Sequence, residues 1–236
     1  MATSPRADRH ETSWSVVRCY LGEREALFAR IKRGARLQPL LVHMTGVSAL
    51  FAAVYGVTVG LYAGGWQVLY DAIKLPGMMF ATSALSLLAL YMLSSLTGSR
   101  LSLGQTAAVV LSAILVTTIL LFALTPPLGF VMLTSLQDYE FVVFMNLVAI
   151  LICGACGAGF ALQATAAVQE DPAIRASSLR VMKAWMVLYG LIGMQMLWMF
   201  RPYFRQTDVF IRPLSTTGSA FVHFGRLLLH LLEPLL

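Results

Sequence analysis

Cys153 and Cys156 form a C-x-x-C pair, the pattern in this sequence with the most obvious chemical potential. The spacing is typical of thiol–disulfide exchange and of metal ligation. A long apolar stretch surrounds both residues, and such surroundings disfavour the thiolate that either chemistry requires. A zinc site would need two further ligands, and no Cys or His recurs nearby in the sequence. We therefore expect the pair to pack against other helices, without a metal or a cofactor, and a redox role is the alternative.

His43 is the one ionisable residue that falls within an apolar span predicted from the sequence. It can ligate a pigment such as a porphyrin or hydrogen-bond to a neighbouring helix, and we favour the hydrogen bond. Ionisable residues at membrane depth mark pumps, proton relays and ion pathways. Their scarcity here argues against a proton-coupled carrier and against a charge-lined channel.

Asn146 and Gln195 are the polar residues placed most clearly inside predicted spans. Amide side chains at such positions usually form interhelical hydrogen bonds, worth about 0.6–2 kcal/mol each. The same groups can line a route for a small neutral solute. We favour the hydrogen bonds, because no helix is interrupted in mid-span as binding sites in transporters often are.

Enzyme signatures are missing from the sequence: it has no G-x-x-x-x-G-K-[ST], no H-E-x-x-H and no G-x-S-x-G motif. Glu170 and Asp171 precede Pro172, where acidic side chains indicate a helix start. Asp71 and Lys74 are expected to form an exposed pair at the membrane interface, worth about 0–1 kcal/mol. We expect no catalytic residue and no enzymatic activity.

Five long apolar stretches must position these residues. Each is close to or above the ~20 residues that cross a hydrocarbon core of about 30 Å. The sequence predicts an all-α integral membrane bundle of about five transmembrane helices, flanked by amphipathic helices at both ends. The predicted spans are 41–63, 75–97, 105–125, 141–166 and 184–200.

Composition supports the same fold class. Hydrophobic residues make up 58% of the 236 and charged residues 12%, against roughly 45–50% and ~25% in soluble domains. The net charge of +6 comes from basic residues beside apolar spans, where anionic lipid headgroups attract them. We expect the lipid bilayer as a partner, and no nucleic acid.

Charge also predicts the orientation. Basic loops resist translocation, and a cytoplasmic N-terminus places twelve of the 17 Lys and Arg residues inside and five outside. The first span then serves as an uncleaved anchor. We expect a multi-pass protein of the bacterial cytoplasmic (inner) membrane, with its carboxyl end outside.

The flanks and loops divide the chain into a basic amphipathic flank over residues 1–40, a bundle over 41–200 and a tail over 201–236. In the flank, apolar residues recur near helical spacing up to Ile31, and Gly34 is expected to end the helix. Such a helix lies in a headgroup layer or packs on a cytosolic partner. Three further segments are expected: a short interfacial helix from Trp66 that ends at Pro76, an outer loop over Thr125–Glu140, and an interfacial or partner-binding helix over Ala220–Leu232.

Two spans carry faces of small residues, which let helix backbones approach closely. In the first span Gly56, Gly60 and Gly64 are four residues apart. The fourth span offers a similar surface with Gly154, Gly157 and Ala158. We expect these two helices to form a tight pair, and self-association between copies is the alternative.

A family resemblance rests on two segments. Ser99–Thr106 opens the third span, and Trp185–Pro202 contains Tyr189-Gly190, Gly193 and Gln195. The chain resembles small bacterial multi-pass proteins of unassigned role, and its five-span layout is similar to that of the Yip family. That resemblance implies a polytopic adaptor that works through partners.

The functional expectation is a non-enzymatic structural or accessory subunit of a larger membrane protein assembly. Its partners would be other membrane subunits or further copies of itself. The first alternative is a channel or carrier for a small neutral solute. The second is a redox- or pigment-binding membrane subunit.

Overall fold

The computed structural model describes residues 24–34, 37–99, 101–135, 139–200 and 203. These residues form six α-helices and no strand. All but the first helix are long and apolar enough to cross a membrane, which agrees with the five predicted spans. The helices are α1 (Arg24–Arg33), α2 (Leu37–Ala63), α3 (Gln67–Leu96), α4 (Leu103–Thr134), α5 (Tyr139–Val168) and α6 (Pro172–Met199).

The long helices extend beyond the predicted spans. They contain 27 to 32 residues, or about 40–48 Å at 1.5 Å per residue, which exceeds the hydrocarbon core of about 30 Å. Hydropathy marks only the part of a helix that suits lipid. Hydrogen bonds and side-chain packing continue each helix past that part.

The prediction of a separate interfacial helix from Trp66 to Pro76 is wrong. Helix α3 begins at Gln67 and continues through Pro76 without interruption. A proline removes one donor from the helical ladder, but neighbouring helices can hold the chain helical around it. Leu75 and Thr82, on either side of the proline, are both buried against the bundle.

The loop predicted over Thr125–Glu140 is also mostly helical. Helix α4 runs through Pro126 and Pro127 and ends at Thr134. Leu128 and Met132 follow the prolines and are buried, 6% and 2% exposed. Their packing holds the last two turns in place.

Helix α4 lies at the centre of the bundle and α6 at its edge. Helix α4 packs against α1, α2, α3 and α5, whereas α6 contacts α3 and α5. In the most apolar stretch of α4, 50% of the residues are buried, whereas in that of α6 only 11% are buried. Most of α6 therefore faces outward.

Two helix starts are fixed by side-chain caps. The Gln105 amide N–H donates to Ser102 Oγ over 3.2 Å, and Ser102 N–H donates to Gln105 Oε1 over 2.8 Å, a reciprocal capping box. At α6, Ala173 N–H donates to Asp171 Oδ1 over 2.8 Å, with Pro172 in the first helical position. The predicted helix start at Glu170 and Asp171 is confirmed.

Helix α1 packs on the bundle. Leu27 and Ile31 are 2% and 0% exposed, and Gln105 Nε2 donates to the carbonyl oxygens of Ile31 and Lys32, 3.0 Å each. Its apolar face thus lies on α4 and α5. Gly34 ends the helix with φ 67°, as predicted. The predictions for residues 1–23 and for Ala220–Leu232 fall outside the described residues.

Candidate functional site

A buried ion pair is the most polar feature inside the bundle. Lys74 Nζ lies 3.8 Å from Asp71 Oδ1, and neither side chain is exposed. Gln67 Nε2 donates to the same Asp71 oxygen over 2.8 Å. The three residues follow one another at i, i+4 and i+7, so they share one face of α3.

This pair corrects two predictions. Asp71 and Lys74 were expected to be exposed at the interface, and His43 was expected to be the one ionisable residue within a span. Both charged residues lie inside α3, one of the five helices long enough to cross a membrane. Breaking a buried pair costs more stability than breaking an exposed one, because removing one partner leaves an uncompensated buried charge.

Glycines of α2 let the α3 backbone approach the site. A Cβ at Gly60 would lie 2.5 Å from Val68 Cα and 2.9 Å from the Gln67 carbonyl oxygen. At Gly56 a Cβ would overlap the Asp71 carbonyl group. Gly64 has open space around it and a φ of 77°, which serves the turn between the two helices.

The sequence contained a signal for this site. Gly56 and Asp71 lie eight and seven residues from Gly64, and Gly60 and Gln67 lie four and three residues from it. In an antiparallel helix pair, residues equidistant from the turn face each other. The glycine face and the polar face were therefore predictable neighbours once α2 and α3 formed a hairpin.

Aromatic rings enclose the lysine. Lys74 Nζ lies 5.8 Å from the centroid of the Tyr70 ring and 5.7 Å from that of Tyr203, within cation–π range. Tyr203 is 8% exposed, and its hydroxyl donates to Met78 Sδ over 3.6 Å. A residue that follows α6 thus closes the site that α2 and α3 build.

The chemistry open to the site is proton binding and hydrogen bonding. Asp71 Oδ2 is buried and has no hydrogen-bond partner within the described ranges. A carboxylate oxygen in that position can accept a proton or the hydrogen of a water molecule. Among the described residues there is no group of three or more His, Cys, Asp or Glu side chains that could hold a metal ion.

Asn146 and Gln195 lie in different environments. Tyr55 Oη donates to Asn146 Oδ1 over 2.8 Å, and Asn146 Nδ2 donates to the Val142 carbonyl oxygen over 2.8 Å. Asn146 therefore links α2 to α5 inside the bundle. Gln195 is exposed on α6, so the structure does not bring the two amides into one solute route.

The glycine faces pack on different helices from those expected. Gly157 of α5 lies against α4, where a Cβ would come within 2.6 Å of the Ala113 carbonyl oxygen. Gly154 has open space around it and Ala158 is half-buried. Helices α2 and α5 are therefore not the tight pair that we predicted; α2 packs closely on α3, and α5 on α4. Small residues identify a packing surface but not its partner.

The remaining candidates from the sequence are the two cysteines of α5 and His43 of α2. Cys153 is buried and Cys156 is exposed, and both are free thiols. Residues three apart on a helix can differ in burial, and here the Cys156 thiol faces outward. His43 Nδ1 lies 2.7 Å from the Pro39 carbonyl oxygen of its own helix, not against a neighbouring helix as expected.

Three glutamines of the long helices carry amides on the outside of the bundle. Gln38 of α2, Gln163 of α5 and Gln195 of α6 are all exposed. None of the three side chains makes a hydrogen bond within the part of the chain that the structure describes. The sequence pattern singled out Gln195 but not its outward direction, and it did not single out Gln38 or Gln163.

Comparisons with protein-family models, with curated proteins and with solved structures found no match to this chain.

Proposed function

We propose that this protein is an integral membrane protein whose helices α2–α6 cross the bilayer, and that it serves as a non-enzymatic structural or accessory subunit of a larger membrane protein assembly. The exterior of the bundle supports the membrane setting. Large apolar side chains are exposed along its long helices, among them Leu50, Leu85, Leu151 and Val187, each at least 58% exposed. Lipid tails are the solvent that suits such a surface.

Charge supports a cytoplasmic N-terminus in a bacterial inner membrane. Successive long helices are joined by short turns, so α1 and the turns after α3 and α5 lie at one end of the bundle. By the positive-inside rule this end faces the cytoplasm. The described basic residues at that end are Arg24, Arg30, Lys32, Arg33, Arg175, Arg180 and Lys183.

Cysteine labelling tests the orientation. In a variant without native cysteines, Ser95→Cys at the basic end and Thr134→Cys at the opposite end are both exposed positions. In intact cells an impermeant maleimide should label Thr134→Cys and leave Ser95→Cys unlabelled until the membrane is opened. The reverse pattern would contradict the orientation.

The single observation that carries the assembly role is the exposed amide of Gln195. It lies on the least buried of the long helices, one turn before the end of α6. Moving an amide from water into an apolar medium without a hydrogen bond costs about 2–7 kcal/mol. A neighbouring protein helix can supply the missing hydrogen bond, whereas lipid tails cannot.

Extraction from the native membrane tests this role. In a mild detergent, native mass measurement should find the chain in a particle with at least one other membrane protein. A matched preparation in a harsh detergent should release the chain alone. Recovery of a lone monomer under mild conditions, with no copurifying protein, would contradict the proposal.

A second candidate function is proton or ion movement, and Asp71 is the specific observation that favours it. Buried ionisable residues in membrane helices commonly mark ion or proton pathways, and Asp71 Oδ2 has a free position for a proton. Proteoliposomes that contain the protein should then pass protons faster than empty ones, and Asp71→Asn should abolish the difference. Equal flux with and without the protein would remove this candidate.

A further inference from the structure

A small cavity lies where α3, α4, α5 and α6 meet at the basic end of the bundle, and we propose that it binds one water molecule that joins α6 to the other three helices. The cavity has a volume of about 10 Å³ and is partly open. It is separate from the buried ion pair, and the inference does not depend on the assembly role. The polar residues that line it are Ser94, Ser99, Thr106, Thr165, Gln169 and Ser178.

Ser178 is the polar member of the inward face of α6. The buried residues of α6 are Ser178, Met182 and Trp185, which follow one another at intervals of four and three and therefore share one face. Ser178 is 4% exposed, and its Oγ has no hydrogen-bond partner within the described residues. Buried polar side chains in native proteins nearly always have a partner, either a protein group or an ordered water molecule. A water molecule in the cavity would supply that partner.

Two neighbours of Ser178 in the cavity lining complete the set of hydrogen-bonding groups. Gln169 Nε2 donates to Ser99 Oγ over 2.7 Å. That bond uses neither the amide oxygen of Gln169, which can accept, nor the hydroxyl hydrogen of Ser99, which can donate. With Ser178 Oγ the lining offers three groups, and a buried water molecule typically makes about three hydrogen bonds.

The size and charge of the cavity favour water over other ligands. One water molecule needs roughly 10–15 Å³, so this cavity has no room for a larger molecule. Its lining, among the described residues, consists of hydroxyl, amide and apolar side chains. Such groups provide no counter-charge for a metal ion or an anion, whereas they suit a neutral molecule that both donates and accepts.

The water molecule would give α6 a second polar connection to the bundle. Two turns further along the same face, Trp185 Nε1 donates directly to the Ser86 carbonyl oxygen of α3 over 2.9 Å. That bond holds the middle of α6. Because most of α6 faces outward, a water-mediated bond at Ser178 would be an important contact of its first turns.

The sign of a stability change tests the inference. If water is bound, Ser178→Ala removes one of its hydrogen bonds, and the thermal midpoint in detergent should fall by about 2–4 °C relative to Ser177→Ala. Ser177 is the matched control, because it precedes Ser178 in the same helix and its hydroxyl accepts an exposed hydrogen bond from Arg180 Nη2 over 3.3 Å. A midpoint equal to or above that of the control would overturn the inference, since removing an unsatisfied buried hydroxyl is stabilising.

X-ray footprinting of the full chain in detergent tests for the water molecule itself. The beam splits bound water into hydroxyl radicals, which oxidise a methionine sulfur beside it. Met182 lines the cavity and is 4% exposed, whereas Met132 is 2% exposed and lies near the opposite end of α4. Mass spectrometry should find Met182 oxidised several-fold faster than Met132. In Ser178→Val, where an added methyl group takes the place of the water molecule, the rate at Met182 should fall to that of Met132.

The outcomes of the footprinting experiment are separable. Equal oxidation of Met182 and Met132 in the wild type would overturn the inference without reference to any variant. Oxidation of Met182 that persists in a folded Ser178→Val chain, with folding checked by circular dichroism, would assign the radicals to bulk solvent and would also overturn it. Neither result bears on the assembly role, which copurification tests.

Discussion

Lys74 holds its ammonium nitrogen 3.8 Å from Asp71 Oδ1 while both side chains are completely buried. A pair in this setting is costly to build, because each charge loses its hydration, but still more costly to break. Glycines of α2 lie against the backbone of α3 beside the pair, and the ring of Tyr203 lies 5.7 Å from Lys74 Nζ. The pair therefore lies where the α2–α3 hairpin meets the residue that follows α6.

Breaking the pair on one side should be strongly destabilising. Asp71→Leu leaves the Lys74 ammonium without its carboxylate counter-ion, and we expect a loss of about 3–5 kcal/mol in the free energy of unfolding. The double variant Asp71→Leu with Lys74→Met should lose less than Asp71→Leu alone. Thermal unfolding in detergent, followed by tryptophan fluorescence, measures both.

A control for this prediction is Lys183→Met, which removes an exposed lysine of α6. An exposed charge contributes about 0–1 kcal/mol, so its unfolding midpoint should stay close to that of the wild type. If the double variant Asp71→Leu with Lys74→Met were less stable than Asp71→Leu alone, the two residues would not act as a unit.

The α2–α3 contact predicts that glycines in one helix differ sharply in their tolerance of alanine. At Gly60 a new Cβ would meet the α3 backbone, 2.5 Å from Val68 Cα, and backbone cannot move aside as a side chain can. Gly60→Ala should therefore cost about 1–3 kcal/mol in the free energy of unfolding. The measurement is the same thermal unfolding in detergent.

Gly46 is the matched control in α2, because nothing lies within 4 Å of its Cβ position. Alanine has a higher helix propensity than glycine, by about 0.8–1.0 kcal/mol. Gly46→Ala should thus be neutral or stabilising. Equal losses at the two positions would mean that Gly60 has no special contact with α3.

The Tyr55–Asn146 hydrogen bond predicts a measurable coupling between α2 and α5. A double-mutant cycle of Tyr55→Phe and Asn146→Leu should give a coupling free energy of about 0.6–2 kcal/mol. Thr118→Val, which alters a buried hydroxyl bonded within its own helix to the Leu115 carbonyl oxygen, should show no coupling to Tyr55→Phe. A coupling energy near zero for Tyr55 and Asn146 would count against the hydrogen bond.

The five long helices were predictable because lipid imposes a minimum length on an apolar run, and that rule needs no knowledge of neighbours. Their ends were less predictable. Pro76 and Pro126 normally stop helices in water, but here burial of the residues beyond them keeps the helix intact. Hydropathy alone cannot report that burial.

The small-residue pattern of one helix does not show which other helix will pack against it. Gly56 and Gly157 were recognisable as residues of close contact, yet their partners are set by the short turn at Gly64 and by the packing of α4 between α2 and α5. The burial of Asp71 depends on that pairing. For this reason the main candidate site was missed, although Asp71, Lys74 and the glycines that face them had been noticed.

The ion pair at the basic end predicts a pH dependence. Lys32 Nζ lies 2.8 Å from Glu170 Oε1, and this hydrogen bond, with the lysine's charge, lowers the pKa of Glu170 below its ordinary value. A carboxylate with a lowered pKa in the folded state stabilises that state above its unfolded pKa, about 4.3 for Glu. The contribution is lost as the pH falls through the lowered pKa of the folded state.

We therefore expect α1 to detach more readily from the bundle as the pH falls below about 4.3. The protection of the backbone amides of Leu27 and Ile31 against hydrogen exchange, taken relative to the intrinsic exchange rate at each pH, should then be lower than at neutral pH. In Glu170→Gln this protection should already be lower at neutral pH, and acid should change it less than in the wild type. Identical pH profiles for the two proteins would show that Lys32 and Glu170 do not hold α1 in place.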